Sequence, residues 1–189
     1  MDRRAAERAI ADFLRALGRN AEDEPELRET PQRVVEAFAD ELLAGYGVDV
    51  PALISGGSTL ASGGGDVVAL RDISLATVCP HHLMPGIGRA NVVYRPGDRV
   101  LGLGAIARLV EAYAQRLALQ ETIGANVVRA LVEHAGARGA YCEITLVHGC
   151  LSARGACQRA ARATTLSRAG ELSEAEVLLA LARTGGTAA

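Results

Sequence analysis

Ala140-Tyr-Cys-Glu-Ile-Thr-Leu-Val-His-Gly-Cys150 alternates with a period of two, so that Cys142, Ile144, Leu146, His148 and Cys150 fall on one face. Successive side chains of a strand point to opposite faces, and this stretch reads as a strand over its whole length. Its face begins apolar and ends on two residue types that bind metals.

Upstream of it the period is helical. Ile123, Val127, Val128, Leu131 and Val132 mark a helix over 121–135 that stops at Gly136, and Ile106, Leu109, Val110, Tyr113 and Leu117 mark another over 104–117. Before these the period is two again. Val67, Ala69, Ile73, Leu75 and Cys79 share a strand face broken only by Arg71, and Asn91–Arg95 reads as a strand ended by the turn Pro96-Gly97-Asp98. Downstream, a Thr-rich strand lies near 160–168 and Ser173 can cap a last short helix. At the N-terminus, Ile10, Phe13, Leu14 and Leu17 place an amphipathic helix over 3–18. Residues 19–29 read as a polar loop, and Thr30-Pro31 starts a second helix with Thr30 as the cap. Strand pairs alternating with helix pairs predict an α+β fold, an antiparallel sheet with helices on one face. The expected organisation is an N-terminal helical region (1–54), a Gly/Ser-rich connection (55–65) and a main region (66–189) within one compact unit.

The totals narrow the function. The chain has 189 residues, 49% hydrophobic and 22% charged, with a net charge of -2. That is a globular composition with no global pull toward nucleic acid or an anionic membrane. Aromatic residues make up 3% and Trp is absent, which argues against base-stacking platforms. No apolar run approaches the roughly 20 residues that span a bilayer, and Met-Asp-Arg-Arg does not lead into a signal-peptide core. A cytoplasmic setting is expected, in which the four cysteines are thiols or metal ligands.

Five of the eight Cys and His residues fall in two short segments, Cys79-Pro-His-His82 and His148-Gly-Cys150. Thiolate and imidazole donors in such clusters suit zinc. Three protein ligands leave a position for water, as in catalytic sites. A fourth, from His81 or His148, would close the site as a structural one. A cluster of buried core residues with an incidental His pair is the remaining alternative. His134 reads as a surface residue, and Cys142 and Cys157 as small buried ones. Gln120-Glu121 opens a helix, where an acid commonly just complements the dipole, though a carboxylate can also accept from N1–H and the 2-amino group of guanine. Arg33, Arg108 and Arg154 are of a type that binds phosphate.

Together these residues resemble the GTP cyclohydrolase I family. The segments that carry the resemblance are Glu29-Thr-Pro-Gln-Arg33, Cys79-Pro-His-His-Leu83, Val100-Leu-Gly-Leu103 with Arg108, Tyr113-Ala-Gln-Arg116, Leu119-Gln-Glu121, and Val147-His-Gly-Cys150 with Ala153-Arg-Gly155. The resemblance implies a tunnelling-fold subunit of a homo-oligomer, a decamer of two pentamers with sites formed between subunits. It implies Zn2+ held by Cys79, His82 and Cys150, and an acid/base pair, His81 and His148. Glu121 with Gln120 would bind guanine, and Arg33, Arg108 and Arg154 the phosphates. The implied reaction opens the guanine imidazole ring at C8 by hydrolysis, releases formate and closes to 7,8-dihydroneopterin triphosphate.

Four segments depart from the family's usual pattern. Pro80 replaces Glu, Gly104-Ala105 replaces Ser-Lys, Glu36 replaces Lys, and Met84-Pro85-Gly86 stands where Leu-Pro-Phe is common. Two cations expected around a triphosphate are absent. The departures therefore keep two alternatives open: a related cyclohydrolase acting on a less phosphorylated guanine nucleotide or a related purine or pterin, and a non-catalytic ring protein with structural zinc.

Overall fold

The computed structural model of the chain describes residues 1–61 and 66–182. Residues 62–65 of the Gly/Ser-rich connection and 183–189 of the main region lie outside the described residues. The chain divides into two compact units, Met1–Ala44 and Gly45–Ala189.

The first unit is helical. Helix α1 (Arg3–Ala16) starts at Asp2, whose carboxylate accepts from the Ala5 N–H at 3.0 Å. Helix α2 (Thr30–Glu36) runs on through a π-helical turn, Ala37–Leu42, and Arg3 of α1 pairs with Asp40 in that turn. Thr30 does not cap α2. Glu29 already has helical backbone angles, so the helix begins one residue earlier than expected and Thr30 is its first residue.

The second unit opens with α3 (Val50–Gly56), capped by the Asp49 carboxylate on the Ala52 N–H. Part of the Gly/Ser-rich segment, β1 (Ser58–Leu60), pairs antiparallel with β4 (Arg99–Leu101). The main sheet holds β2 (Val68–Val78), β3 (Pro85–Arg95), β5 (Gly139–His148) and β6 (Ala163–Gly170) in the order β2-β3-β5-β6, antiparallel throughout. Helices α4 (Leu103–Ala114) and α5 (Gln120–Ala135) pack on one face of it, with Gly136 in the left-handed region ending α5 as its position foretold. Between helices and sheet, Ile106, Leu109, Ile123, Val127 and Leu131 meet Ala90, Val92, Tyr94, Cys142, Ile144 and Leu146. The α+β fold with helices against an antiparallel sheet is therefore present.

Two details of the sheet escaped the sequence. Strand β3 starts six residues before Asn91, in a stretch, Pro85-Gly-Ile-Gly-Arg-Ala90, whose Pro and Gly read locally as strand breakers. Gly88 is there for close approach, since a Cβ on it would collide with the Thr145 carbonyl of β5. Strand β2 contains a bulge: the register steps three residues from Leu70 to Ile73 while β3 steps two, from Val92 to Ala90. Asp72, at φ 53°, is held in the bulge by the Asn91 side-chain oxygen, which accepts from its N–H at 2.9 Å. The extra residue reverses which side chains face the helices. Val68 and Leu70 join Ile73 and Leu75 in the main core, whereas Val67 and Ala69 turn to the opposite face. There they form a small cluster with Val93, Tyr141 and Val177 of the last helix, α7 (Glu174–Ala182). Ser173 caps α7, its hydroxyl accepting from the Glu176 N–H while the Glu176 carboxylate accepts from the Ser173 N–H. No helix among the described residues is long and apolar enough to cross a membrane.

Candidate metal centre and active site

The site forms at the end of the sheet where β2 and β5 terminate. After β2, Cys79-Pro-His-His-Leu83 makes a tight turn in which the Leu83 N–H donates to the Cys79 carbonyl and the Cys79 N–H to the Met84 carbonyl, both at 2.9 Å. Pro80 suits the start of such a turn, where φ near -65° is wanted and its missing N–H has no partner to lose. Leu83 closes the turn at φ 52°, a conformation unusual for a residue with a Cβ.

Strand β5 ends at His148. Cys150 is not on the strand, as the alternation predicted, but in a four-residue helical turn, α6 (Gly149–Ser152). The strand breaks where the Pro85 carbonyl crowds Gly149, a Cβ there lying 3.0 Å from it. The break turns Cys150 toward β2. The donor atoms of Cys79, His82 and Cys150 consequently lie within 4.8 Å of one another. Two sulfurs and one nitrogen around a tetrahedral zinc ion stand roughly 3.5–3.8 Å apart, so modest side-chain rotation brings this group to that geometry. The donor set is soft and nitrogenous, which fits zinc.

His81 lies next to the cluster, with Nδ1 3.9 Å from the Cys79 Sγ, the same distance as His82 Nδ1. Burial raises the Cys150 thiol above its ordinary pKa, the adjoining Cys79 thiol adds to the rise, and Arg154 works against it. Binding a cation requires both thiols to lose their protons. A raised pKa extends the competition from protons upward, so affinity should climb as pH rises through the ordinary thiol range and fall as pH drops. We expect up to about a tenfold loss of metal affinity per pH unit for each proton released. Chelator competition at two pH values about one unit apart measures it, and an affinity independent of pH would contradict two thiolate ligands.

Beside the cluster a cavity of about 240 Å³ is lined by Thr77, Cys79, His81, Gln120, Glu121 and His148, among others. Glu121 is exposed in the first turn of α5. Gln120 is 5% exposed and accepts from His148 Nε2 at 2.7 Å. Arg154 is close enough for its charge to act on Cys150. Arg108 is exposed on α4 and does not line the cavity. Arg33, in the first unit, is paired with Glu29. Ala105 is 3% exposed, inside the core beneath α4. His134 is exposed and Cys142 fully buried, its thiol pushed up to about 12 by desolvation. Cys157 is exposed, contrary to expectation, on a loop where it adopts φ 50°.

Arg116 is the positioning residue the spacing did not single out. Its guanidinium lies 5.0 Å from the Tyr113 ring and 5.6 Å from the Tyr46 ring, and donates to the carbonyls of Ala112 and Gly45. Its own carbonyl accepts from the Thr77 hydroxyl, and the next residue, Leu117, bridges to Val78. These contacts tie the α4–α5 connection to the end of β2 and bring Gln120 and Glu121 to the cavity. A Tyr three residues before an Arg on a helix was the available signal.

The profile of the GTP cyclohydrolase I family matches residues 6–181. Among curated relatives, the GTP cyclohydrolase 1 of Leifsonia xyli subsp. xyli is 41% identical over 92% of this chain and 90% of its own length. That of Allorhizobium ampelinum is 39% identical over 89% and 83%. That of Chromobacterium violaceum is 45% identical over 79% and 71%.

Proposed function

Since the chain belongs to the GTP cyclohydrolase I family, we propose that it is a zinc-dependent hydrolase that opens the imidazole ring of GTP at C8, releases formate and closes the product to 7,8-dihydroneopterin triphosphate. The observation that carries the reading is the convergence of Cys79, His82 and Cys150 to within 4.8 Å, beside a cavity that also holds His81, His148 and Glu121.

In this reading Cys79, His82 and Cys150 hold the ion. Zinc with an open coordination position supplies Lewis acidity to a hydrolysis at neutral pH. The Glu121 carboxylate accepts from N1–H and the 2-amino group of guanine and orients the base. Hydration at C8 and cleavage of the C8–N9 bond each need a proton moved, as does the release of formate. His148 and His81 hold and return those protons, an imidazole ring offering one donor and one acceptor nitrogen. Two waters are consumed, in ring opening and in formate release, and one is returned when the ribose-derived chain closes onto the freed amine. Arg33, Arg108 and Arg154 serve the phosphates, Arg33 after exchanging Glu29 for them.

The chain works as a homo-oligomer, a decamer of two pentamers, with sites at subunit contacts. In support, β2 and β6 are the outer strands of the main sheet and offer edges for pairing between copies. Free thiols at all four cysteines support a cytoplasmic setting.

Two positions favour a second reading, in which the substrate carries fewer phosphates. Position 105, a lysine in the family's usual pattern, is a buried alanine packed closely enough on Gly57 that a Cβ there would collide with it. Position 36 is an anion, engaged with Gln32 at 2.7 Å. The test is to supply zinc-loaded protein with GTP, GDP, GMP and guanosine and to follow formate and pterin fluorescence. The highest kcat/KM on GTP is the expected result. A preference for GMP or guanosine supports the second reading, and no turnover of any, with zinc held by four protein ligands, overturns both.

A further inference from the structure

Gln120 is the first residue of α5, and its carboxamide is buried where β5 and β6 adjoin. Its Nε2 donates to the carbonyl of Ile144 at 2.7 Å and to that of Ala163 at 3.0 Å. A carboxamide has two N–H donors, and both are used. The group cannot be turned over, because its oxygen would then face two carbonyl oxygens. Its Oε1 therefore faces His148, 2.7 Å from Nε2. A carbonyl oxygen only accepts, so the hydrogen of that bond belongs to the imidazole. On the other edge of the ring lies Gly86, paired with His148 across the ladder. A Cβ there would stand 3.2 Å from Nδ1 and 3.4 Å from Cε1. No side chain from position 86 covers Nδ1.

We propose that Gln120 is a positioning residue that holds His148 in the tautomer protonated on Nε2, leaving Nδ1 with the free lone pair that the reaction uses. The inference rests on the functional reading above for the task given to Nδ1, and on hydrogen-bond accounting for the tautomer. It replaces the direct contact with the base expected of Gln120 by an action through His148. Because the two carbonyls belong to neighbouring strands, the sheet itself dictates which nitrogen of the histidine is bare.

The test uses the full chain labelled with 15N-histidine, loaded with zinc, and solid-state NMR of the sedimented protein. Four histidines give few enough ring signals to identify His148 by their loss in His148→Asn. The expected spectrum of neutral His148 has the proton on Nε2, and a proton on Nδ1 overturns the proposal. In Gln120→Met the signal should divide between tautomers. There kcat should fall about 10- to 100-fold, a size typical of removing a group that orients a functional ligand, with KM unchanged. A raised KM at constant kcat would make Gln120 a substrate ligand and overturn the proposal. Gln120→Glu provides the conservative variant. Buried beside carbonyls, its carboxyl group stays protonated, donates to one of them and still accepts from Nε2. It should restore the tautomer and part of kcat, whereas a purely structural role predicts no recovery over Gln120→Met. If the wild-type protein turns over no guanine nucleotide, the functional reading fails, and the spectrum alone still decides the tautomer.

Discussion

Cys150→Ala should give a folded protein that purifies nearly free of zinc and has no measurable cyclohydrolase activity. Cys150 is half-buried on a four-residue turn outside the main core, so removing its sulfur opens no large cavity. The loss is confined to the donor cluster, where one of three ligands disappears and the remaining two, Cys79 and His82, sit on a single exposed turn. Partners that merely orient a metal ligand are worth about 10- to 100-fold in affinity, and a ligand itself is worth more. Metal content by mass spectrometry and formate release measure the two effects together. Full zinc occupancy in this variant would remove Cys150 from the ligand set.

His148→Ala, two residues away, should do the opposite with the metal. Zinc should remain stoichiometric, while kcat falls by roughly 10²–10⁴-fold, the range of a lost general acid/base. The two side chains diverge because the strand ends between them: His148 bonds to Gln120, and Cys150 turns to Cys79 and His82. KM should change little, since Glu121 still lines the cavity. Loss of zinc on His148→Ala would make it a ligand and the site closed. An unchanged kcat would leave proton transfer to His81 alone. Compared side by side, the two variants separate holding the ion from moving the proton.

The donor cluster was legible because it needs only residue types at short spacing. Cys79-Pro-His-His82 and His148-Gly-Cys150 carry the pattern in seven residues, and the fold brings them together as a metal group would need. The helices α4 and α5 were legible for the same local reason, a sustained period ending at Gly136. What stayed hidden depends on contacts made across the chain. The end of β5 at His148 follows from the approach of Pro85 to Gly149, which alternation through Cys150 does not register. The early start of β3 follows from Gly88 fitting against Thr145, where the local signal is a breaker. The burial of Gln120 follows from two carbonyls on different strands. Arg116 acts through Tyr46, seventy residues earlier in the chain, which the helix spacing around Tyr113 does not reveal.

The bulge at Arg71 and Asp72 reaches further than the strand that contains it. Were the same residues to pair without a bulge, strict alternation would put Val67 and Ala69 on the face of Ile73 and Leu75, and the cluster beneath α7 would lose that side. Arg71 also reaches α7, donating to the Leu181 carbonyl at 3.2 Å. Helix α7 is thus moored from three strands, by Val67 and Ala69 of β2, by Val93 of β3 with the ion pair of Arg95 and Glu176, and by Tyr141 of β5. Deleting Arg71 would straighten β2 without exchanging its faces, so that α7 would lose that reach and keep the apolar surface beneath it.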